Sequence, residues 1–112
     1  MSEDNNKAAV LARLSAVIEG RKGADPDSSY TANLFDKGRA EISRKVGEEA
    51  LETVIAALQQ DKHALTTESA DLIYHLLVLW ADAEMSPEDV WDELARREGT
   101  SGIDEKKSRA KN

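Results

Sequence analysis

The chain has 112 residues, which predicts one domain that buries about two-thirds of the surface exposed by its unfolded form. Its 22 acidic and 15 basic residues give a formal charge of −7, which argues against a nucleic-acid groove, because Lys and Arg bind phosphate backbones. The chain has no cysteine, which excludes disulfides, zinc–thiolate sites and thiol chemistry.

Targeting signals are not visible in the sequence. The first seven residues contain neither a basic region nor an apolar run, and the longest strongly apolar run, 76–81, is too short to cross a bilayer. We therefore expect a cytoplasmic protein without a membrane partner. An apolar content of 40% with only 4% aromatic residues predicts a helical core of small and aliphatic side chains.

The first half of the chain predicts three helical segments. Apolar residues recur at steps of three and four from Ala8 to Glu19, as in an amphipathic helix. Glycine, proline and aspartate in 21–29 predict an exposed connection. The segment 30–38 is either a short helix or an ordered loop, and a long helix follows from Arg39 to Gln60.

Gly47 lies inside this long helix, where glycine costs about 1 kcal/mol relative to alanine. Two interpretations are open. Gly47 shares a side with Leu51, Val54 and Leu58, which favours close helix packing. The alternative is close approach by a substrate.

The next helix is predicted from Leu65 to Ala83, with Asp61 or Thr66 as its cap. It is apolar nearly all round, as in a helix buried on several sides. Its polar exceptions form one stripe, Glu68, Asp71, His75 and Asp82. A last helix is predicted from Pro87 to Arg97, capped by Ser86. These segments predict an all-α fold, an antiparallel bundle of four to five helices in 8–97, between a disordered N-terminus in 1–7 and a mobile tail in 98–112.

Two acidic pairs are candidates for a metal site. Residues three apart project from the same side of a helix, so Glu49 pairs with Glu52 and Glu68 pairs with Asp71. A short connection makes the two helices antiparallel neighbours, which brings the pairs together. The alternative is a solvated charged face. The second pair argues against it, because ionised carboxylates on an otherwise apolar helix need a partner.

Electrostatics favour a cation as that partner. Two carboxylates about 4 Å apart repel by about 4 kcal/mol at an effective dielectric of 20, so four converging ones need a cation or protons. Oxygen ligands without cysteine suit Mg²⁺ or Mn²⁺ better than zinc. Because Mg²⁺ leaves positions for phosphate oxygens, a polyphosphate substrate is expected.

Three strings resemble one enzyme family. They are Ser-Tyr-Thr-Ala at 29–32, Lys-Val-Gly-Glu-Glu-Ala at 45–50 and Asp-Leu-Ile-Tyr-His-Leu-Leu-Val at 71–78. They resemble the phosphoribosyl-ATP pyrophosphatases of histidine biosynthesis, within the all-α NTP pyrophosphohydrolase superfamily. The resemblance implies Mg²⁺-dependent hydrolysis of phosphoribosyl-ATP to phosphoribosyl-AMP and pyrophosphate by a helical homodimer. A dimer also fits the helix at 72–80, which is too apolar for one protomer to cover.

The resemblance also implies residue roles. Glu49, Glu52, Glu68 and Asp71 become the metal ligands. Glu48 is a general base, a ligand of a second metal, or a solvated glutamate. Lys45 is a phosphate contact or half of a simple ion pair, and Arg39 and Arg44 are further phosphate contacts. Tyr30, Thr31 and Asn33 contact ribose or base, and His75 either hydrogen-bonds a metal ligand or is a core histidine.

Two other functions stay open from the sequence. One is a housecleaning pyrophosphohydrolase of the same superfamily that acts on a different nucleotide. The other is a non-enzymatic helical dimerisation module whose acidic residues are surface charge.

Overall fold

The computed structural model describes residues 7–110, which form six α-helices and no strand. A 3₁₀ turn at Lys7–Ala9 leads into α1, and the helices are α1 (Val10–Glu19), α2 (Tyr30–Lys37), α3 (Arg39–Leu58), α4 (Lys62–Asp82), α5 (Pro87–Arg97) and α6 (Gly102–Ala110). The all-α class is therefore confirmed, and the segment predicted as a helix or a loop forms the helix Tyr30–Lys37. Of the predicted disordered segment 1–7, residues 1–6 lie outside the described residues. No helix in the described range has the length and apolarity that a membrane crossing needs.

Of the six helices in the described residues, five lie within 8–97, the range predicted for a bundle of four to five helices, and the sixth, α6, forms within the segment predicted as a mobile tail. Ser101 starts α6 by accepting a hydrogen bond from the Asp104 amide at 3.0 Å. The buried carboxylate of Glu105 then binds the guanidinium of Arg96 on α5 at 2.6 Å and that of Arg109 at 3.4 Å. The cap and the buried ion pair stabilise α6. The mobility of the tail stays a prediction.

Helices α3 and α4 form an antiparallel hairpin that carries the predicted acidic pairs. Asp61 starts α4 by accepting a hydrogen bond from the Ala64 amide at 3.0 Å, so Asp61 rather than Thr66 is the cap. At the far end, Arg39 at the start of α3 binds Asp82 at the end of α4 at 2.5 Å. The two helices are thus neighbours over their whole length.

One core lies between the first four helices. Its buried members are Ile18 of α1, Leu34 of α2, Ile42 of α3, and Leu77, Val78 and Ala81 of α4. Helix α5 joins through an edge-to-face contact of Trp91 with Trp80, whose ring centroids are 5.8 Å apart. Ser86 caps α5 and Pro87 is its first residue, as predicted.

The packing explanation for Gly47 is wrong within the protomer. Gly47 is exposed, and a Cβ built on it would meet no atom of the described chain within 4 Å. The residues on its side of α3 are also exposed, with exposed fractions of 60% for Leu51 and 78% for Leu58. We call the stripe Leu51, Val54, Ile55 and Leu58 the apolar face of α3. By contrast, Ile73 is the one exposed large apolar residue of α4 in the described chain, so the uncovered surface lies on α3 and not on 72–80 as expected.

Candidate metal centre and active site

The hairpin brings the predicted acidic pairs together. One carboxylate oxygen each from Glu49, Glu68 and Asp71 lie within 4.8 Å of one another. A second set, from Glu48, Glu49 and Glu52, satisfies the same limit, so Glu49 belongs to both sets. We call these five residues the acid cluster.

Two oxygens of the acid cluster are buried without a donor. Glu49 Oε2 and Glu68 Oε2 have almost no accessible surface, and no hydrogen-bond donor in residues 7–110 reaches them. A buried oxygen of this kind is costly unless a proton or a cation satisfies it. The arrangement therefore fits a cation with oxygen ligands, as expected for Mg²⁺ or Mn²⁺.

The electrostatics of the acid cluster disfavour several ionised carboxylates side by side. Burial raises the pKa of the Glu49 carboxyl, and the charge of Glu52 raises it further. A hydrogen bond shared with Glu52 raises the pKa of Glu68, and burial of the group adds to this. Carboxylates that resist ionisation in this way repel each other when they are charged.

Glu48 has a different environment from the rest of the acid cluster. Its carboxylate binds Lys45 Nζ at 2.9 Å and Arg44 at 2.7 Å, and Arg44 also binds Glu41 at 2.8 Å. The hydrogen bond from Lys45 lowers the pKa of Glu48, so this group is ionised at neutral pH. Lys45 Nζ also lies 3.7 Å from Glu49 Oε1, which places one cation at the edge of the cluster.

Arg39, the other arginine predicted to contact phosphate, lies away from the acid cluster. Arg39 donates from Nε to Asp82 at 2.5 Å and from its terminal nitrogen to the Asp82 carbonyl at 3.1 Å. Asp82 is three helical turns beyond Asp71 on α4. The structure thus uses Arg39 to join two helix ends and does not bring it to the acid cluster.

Helix α2 meets α4 through two neighbouring pairs of polar side chains. The Tyr30 hydroxyl lies 2.8 Å from His75 Nε2, and His75 Nδ1 lies 2.7 Å from the Asp71 carbonyl oxygen. The hydroxyl of Thr31, a buried residue, is bonded to that of Tyr74. Asn33 is half-buried one turn after Tyr30. The structure therefore brings Tyr30 and His75 to the acid cluster, and it engages Thr31 with α4.

A shallow pocket of about 210 Å³ adjoins the acid cluster between α3 and α4. Glu52 and Glu68 line one part of it, and Ile55, Ala56, Gln59 and Ala64 line the rest. Because Ile55 also belongs to the apolar face of α3, that face borders the candidate site.

Comparison with known proteins agrees with the resemblance. The family model described as phosphoribosyl-ATP pyrophosphohydrolase matches residues 11–98, which include the whole acid cluster. The chain belongs to the phosphoribosyl-ATP pyrophosphohydrolase family. The resemblance found in the sequence is thereby confirmed.

Full-length relatives of the phosphoribosyl-ATP pyrophosphohydrolase family are similar to this chain. The phosphoribosyl-ATP pyrophosphatase of Azospirillum brasilense is 62% identical over 109 residues, which cover 97% of this chain and 98% of that protein. The protein of the same name from Paramagnetospirillum magneticum is 61% identical over 99% of both chains. The one from Rhodospirillum rubrum is 56% identical over 91% of this chain and 87% of its own length.

The sequence did not indicate that two further residues of this phosphoribosyl-ATP pyrophosphohydrolase family member contribute to the site. Tyr74 binds Thr31, and Glu41 holds Arg44 against Glu48. Glu41 stands three residues before Arg44, a spacing that commonly pairs side chains on a helix and could have indicated it. Tyr74 lies in an apolar run and offers no such signal.

The raised pKa values predict how the metal-free protein responds to pH. Glu49 and Glu68 take up protons more readily in the folded than in the unfolded chain, so their repulsion costs stability at neutral pH. That cost disappears as the pH falls through their raised pKa values toward about 4.5, the ordinary value. In EDTA, the melting temperature should therefore rise as the pH falls through this window. At lower pH still, carboxylates with lowered pKa values, such as Glu48, take up protons and lose their ion pairs.

Circular dichroism melts across this pH range test the expectation, with Glu68→Gln as the comparison. The variant should show a flatter rise, because one repelling charge is gone. In Mg²⁺ the wild type should show the opposite slope, because protons compete with metal for carboxylates. Parallel curves for wild type and Glu68→Gln in EDTA would contradict the assigned repulsion.

Proposed function

We propose that this chain hydrolyses phosphoribosyl-ATP to phosphoribosyl-AMP and pyrophosphate, the second step of histidine biosynthesis, with Mg²⁺ as cofactor and Mn²⁺ as a possible substitute. Family membership and relatives similar over nearly their whole length support the substrate. The observation that carries the metal-dependent chemistry is the pair of buried, donorless oxygens of Glu49 and Glu68.

Glu49, Glu52, Glu68 and Asp71 are the proposed metal ligands. They come from two facing helices, so the hairpin presents oxygens of Glu49, Glu68 and Asp71 to one position between α3 and α4, and Glu52 lies beside it in the second set with Glu49. A metal held by these side chains would supply the positive charge that an acidic site needs to hold a polyphosphate and to stabilise departing pyrophosphate. By holding it, the four carboxylates would position the α,β-phosphoanhydride for attack by water.

We favour a ligand role for Glu48 over a general-base role. An efficient base has a pKa near the working pH, whereas Lys45 lowers that of Glu48. Its oxygen also falls within the second set of closely spaced carboxylates. Arg44 and Glu41 then hold Glu48 in place rather than contact phosphate.

Lys45 is the proposed phosphate contact. Its ammonium group lies at the edge of the acid cluster and, among the described residues, donates one hydrogen bond to a carboxylate oxygen, at 2.9 Å, which leaves donors for a phosphate. Tyr30 and Asn33 on α2 are proposed contacts of the ribose or base. Thr31 supports them through Tyr74, and Arg39 supports the hairpin through Asp82.

We also propose that the protein is a homodimer that pairs through the apolar face of α3. The four residues of this face follow one side of the helix at helical spacing and are half or more exposed, apart from Ile55 at 45%. A second copy would cover both faces by two-fold symmetry. The exposed Gly47 on the same side leaves room for a close helix approach. A cytoplasmic location stays a prediction.

An assay for pyrophosphate release tests the proposed activity. Wild-type protein should release pyrophosphate from phosphoribosyl-ATP in Mg²⁺ and lose this activity in EDTA. ATP, dUTP and other nucleoside triphosphates serve as competing substrates in the same assay. A preference for one of them would favour the housecleaning function, and no release from any substrate would favour a dimerisation module.

A further inference from the structure

Arg44 joins two carboxylates of α3 with three of its nitrogens. Nε and Nη2 donate to the two oxygens of Glu41 at 2.9 and 2.8 Å, and Nη1 donates to Glu48 Oε2 at 2.7 Å. The guanidinium group is planar and its donors have fixed directions, so the two bonds to Glu41 define the plane in which the third donor lies. Glu41 therefore determines where Arg44 meets Glu48.

Glu48 is held at both of its oxygens. Lys45 Nζ donates to Oε1 at 2.9 Å, while Arg44 binds Oε2. The side chain of Glu48 is 38% exposed, and without these bonds it would exchange among several rotamers. A carboxylate offers about four lone-pair positions, so the two bonds leave acceptor positions for a cation. Glu48 is thus already oriented where it meets Glu49 and Glu52 in the second set of carboxylates.

Helix α5 carries the same arrangement outside the acid cluster. Glu93 stands three residues before Arg96, and its two oxygens accept from Nε and Nη2 of that arginine at 3.1 and 2.7 Å. Arg96 then binds the buried carboxylate of Glu105 on α6 at 2.6 Å. In both places a glutamate fixes an arginine, and the arginine holds another carboxylate. On α5 that carboxylate joins two helices, whereas on α3 it belongs to the acid cluster.

We infer that Glu41 is a positioning residue, which acts through Arg44 to raise the affinity of the acid cluster for a divalent cation at Glu48. Glu41 itself belongs to neither set of closely spaced carboxylates. The inference rests on the proposed function for its metal. The alternative is an exposed helical ion pair, which usually contributes little to stability and whose loss would leave metal binding unchanged.

The charge of Arg44 gives the inference a sign that charge alone does not predict. A cation repels a metal ion, so loss of the arginine charge by itself would strengthen metal binding. Loss of the fixed bond to Glu48 should instead weaken it by about tenfold, as for other residues that orient a metal ligand. Arg44→Gln therefore separates the two effects. Arg44→Lys keeps the charge but lacks the planar group that binds both carboxylates, so it should also bind metal more weakly.

Titration with Mn²⁺, with the free ion followed by electron paramagnetic resonance, measures this affinity without turnover. Glu41→Gln and Arg44→Gln should each bind Mn²⁺ about tenfold more weakly than wild type. Glu93→Gln is the matched control, because it removes the equivalent pair on α5, and it should bind Mn²⁺ as wild type does. In a Glu48→Gln protein, Glu41→Gln should have no further effect, because it acts through that side chain.

The requirement for Mg²⁺ separates positioning from structural support. For pyrophosphate release, Glu41→Gln should need about tenfold more Mg²⁺ at half-maximal rate, and saturating Mg²⁺ should restore kcat to within about twofold of wild type. Tighter or unchanged Mn²⁺ binding by Arg44→Gln, or an additive loss in the double variant, would overturn the inference and leave the proposed function standing. A wild type that neither binds Mn²⁺ nor releases pyrophosphate would overturn both.

Discussion

Glu49→Gln is expected to lower kcat/KM by more than about a hundredfold, because even residues that only support a metal ligand cost tenfold to a hundredfold when replaced. Glu49 belongs to both sets of closely spaced carboxylates, so its loss affects every proposed metal position. The variant should keep its helical circular dichroism signal. In EDTA it should also melt at a higher temperature than wild type, because a buried group that repels its neighbours when charged becomes neutral.

Glu19→Gln is the matched control for Glu49→Gln. Glu19 makes an exposed ion pair with Lys22 at the end of α1, away from the acid cluster. Its replacement should change neither kcat/KM nor the response of the melting temperature to Mg²⁺. Turnover by Glu49→Gln at the wild-type rate would show that Glu49 does not hold the catalytic metal.

Val54→Glu should convert a dimer into a monomer. Val54 is 53% exposed in the middle of the apolar face of α3, and a two-fold interface would bury two copies of the introduced charge. We expect the dissociation constant of the dimer to rise by more than about a hundredfold, since two unpaired buried carboxylates together cost more than about 3 kcal/mol.

Light scattering during gel filtration measures this change. Val17→Glu is the matched control, because Val17 on α1 has nearly the same exposure, 50%, but lies outside the apolar face. It should leave the mass at that of a dimer. Equal masses for the two variants and the wild type would contradict the proposed interface.

The site geometry was accessible from sequence because it depends on helical periodicity and one short connection. The spacing of Glu49 with Glu52 and of Glu68 with Asp71, together with the turn near Asp61, was enough to predict that the two pairs meet. Each of these inferences uses residues that are close together in the sequence, so it does not depend on where the other helices pack.

Features that depend on packing between distant segments could not be predicted from residue spacing along the chain. The Tyr30–His75 bond requires the docking of α2 on α4, and spacing along either helix does not specify that contact. The Arg39–Asp82 pair joins helix ends 43 residues apart for the same reason. The absence of a neighbour at Gly47 within the described part of the protomer was not predictable either, because periodicity shows which residues share a side but not whether another helix covers that side.

Titration of metal-free protein with Mn²⁺, with free Mn²⁺ followed by electron paramagnetic resonance, tests the central claim that the acid cluster holds a divalent cation. The signal of the free ion should fall in wild-type protein and return when Mg²⁺ is added, because both ions prefer oxygen ligands. Asp71→Asn should bind Mn²⁺ more than about tenfold more weakly. Equal loss of the free-ion signal in wild type and Asp71→Asn would contradict the metal centre proposed between α3 and α4.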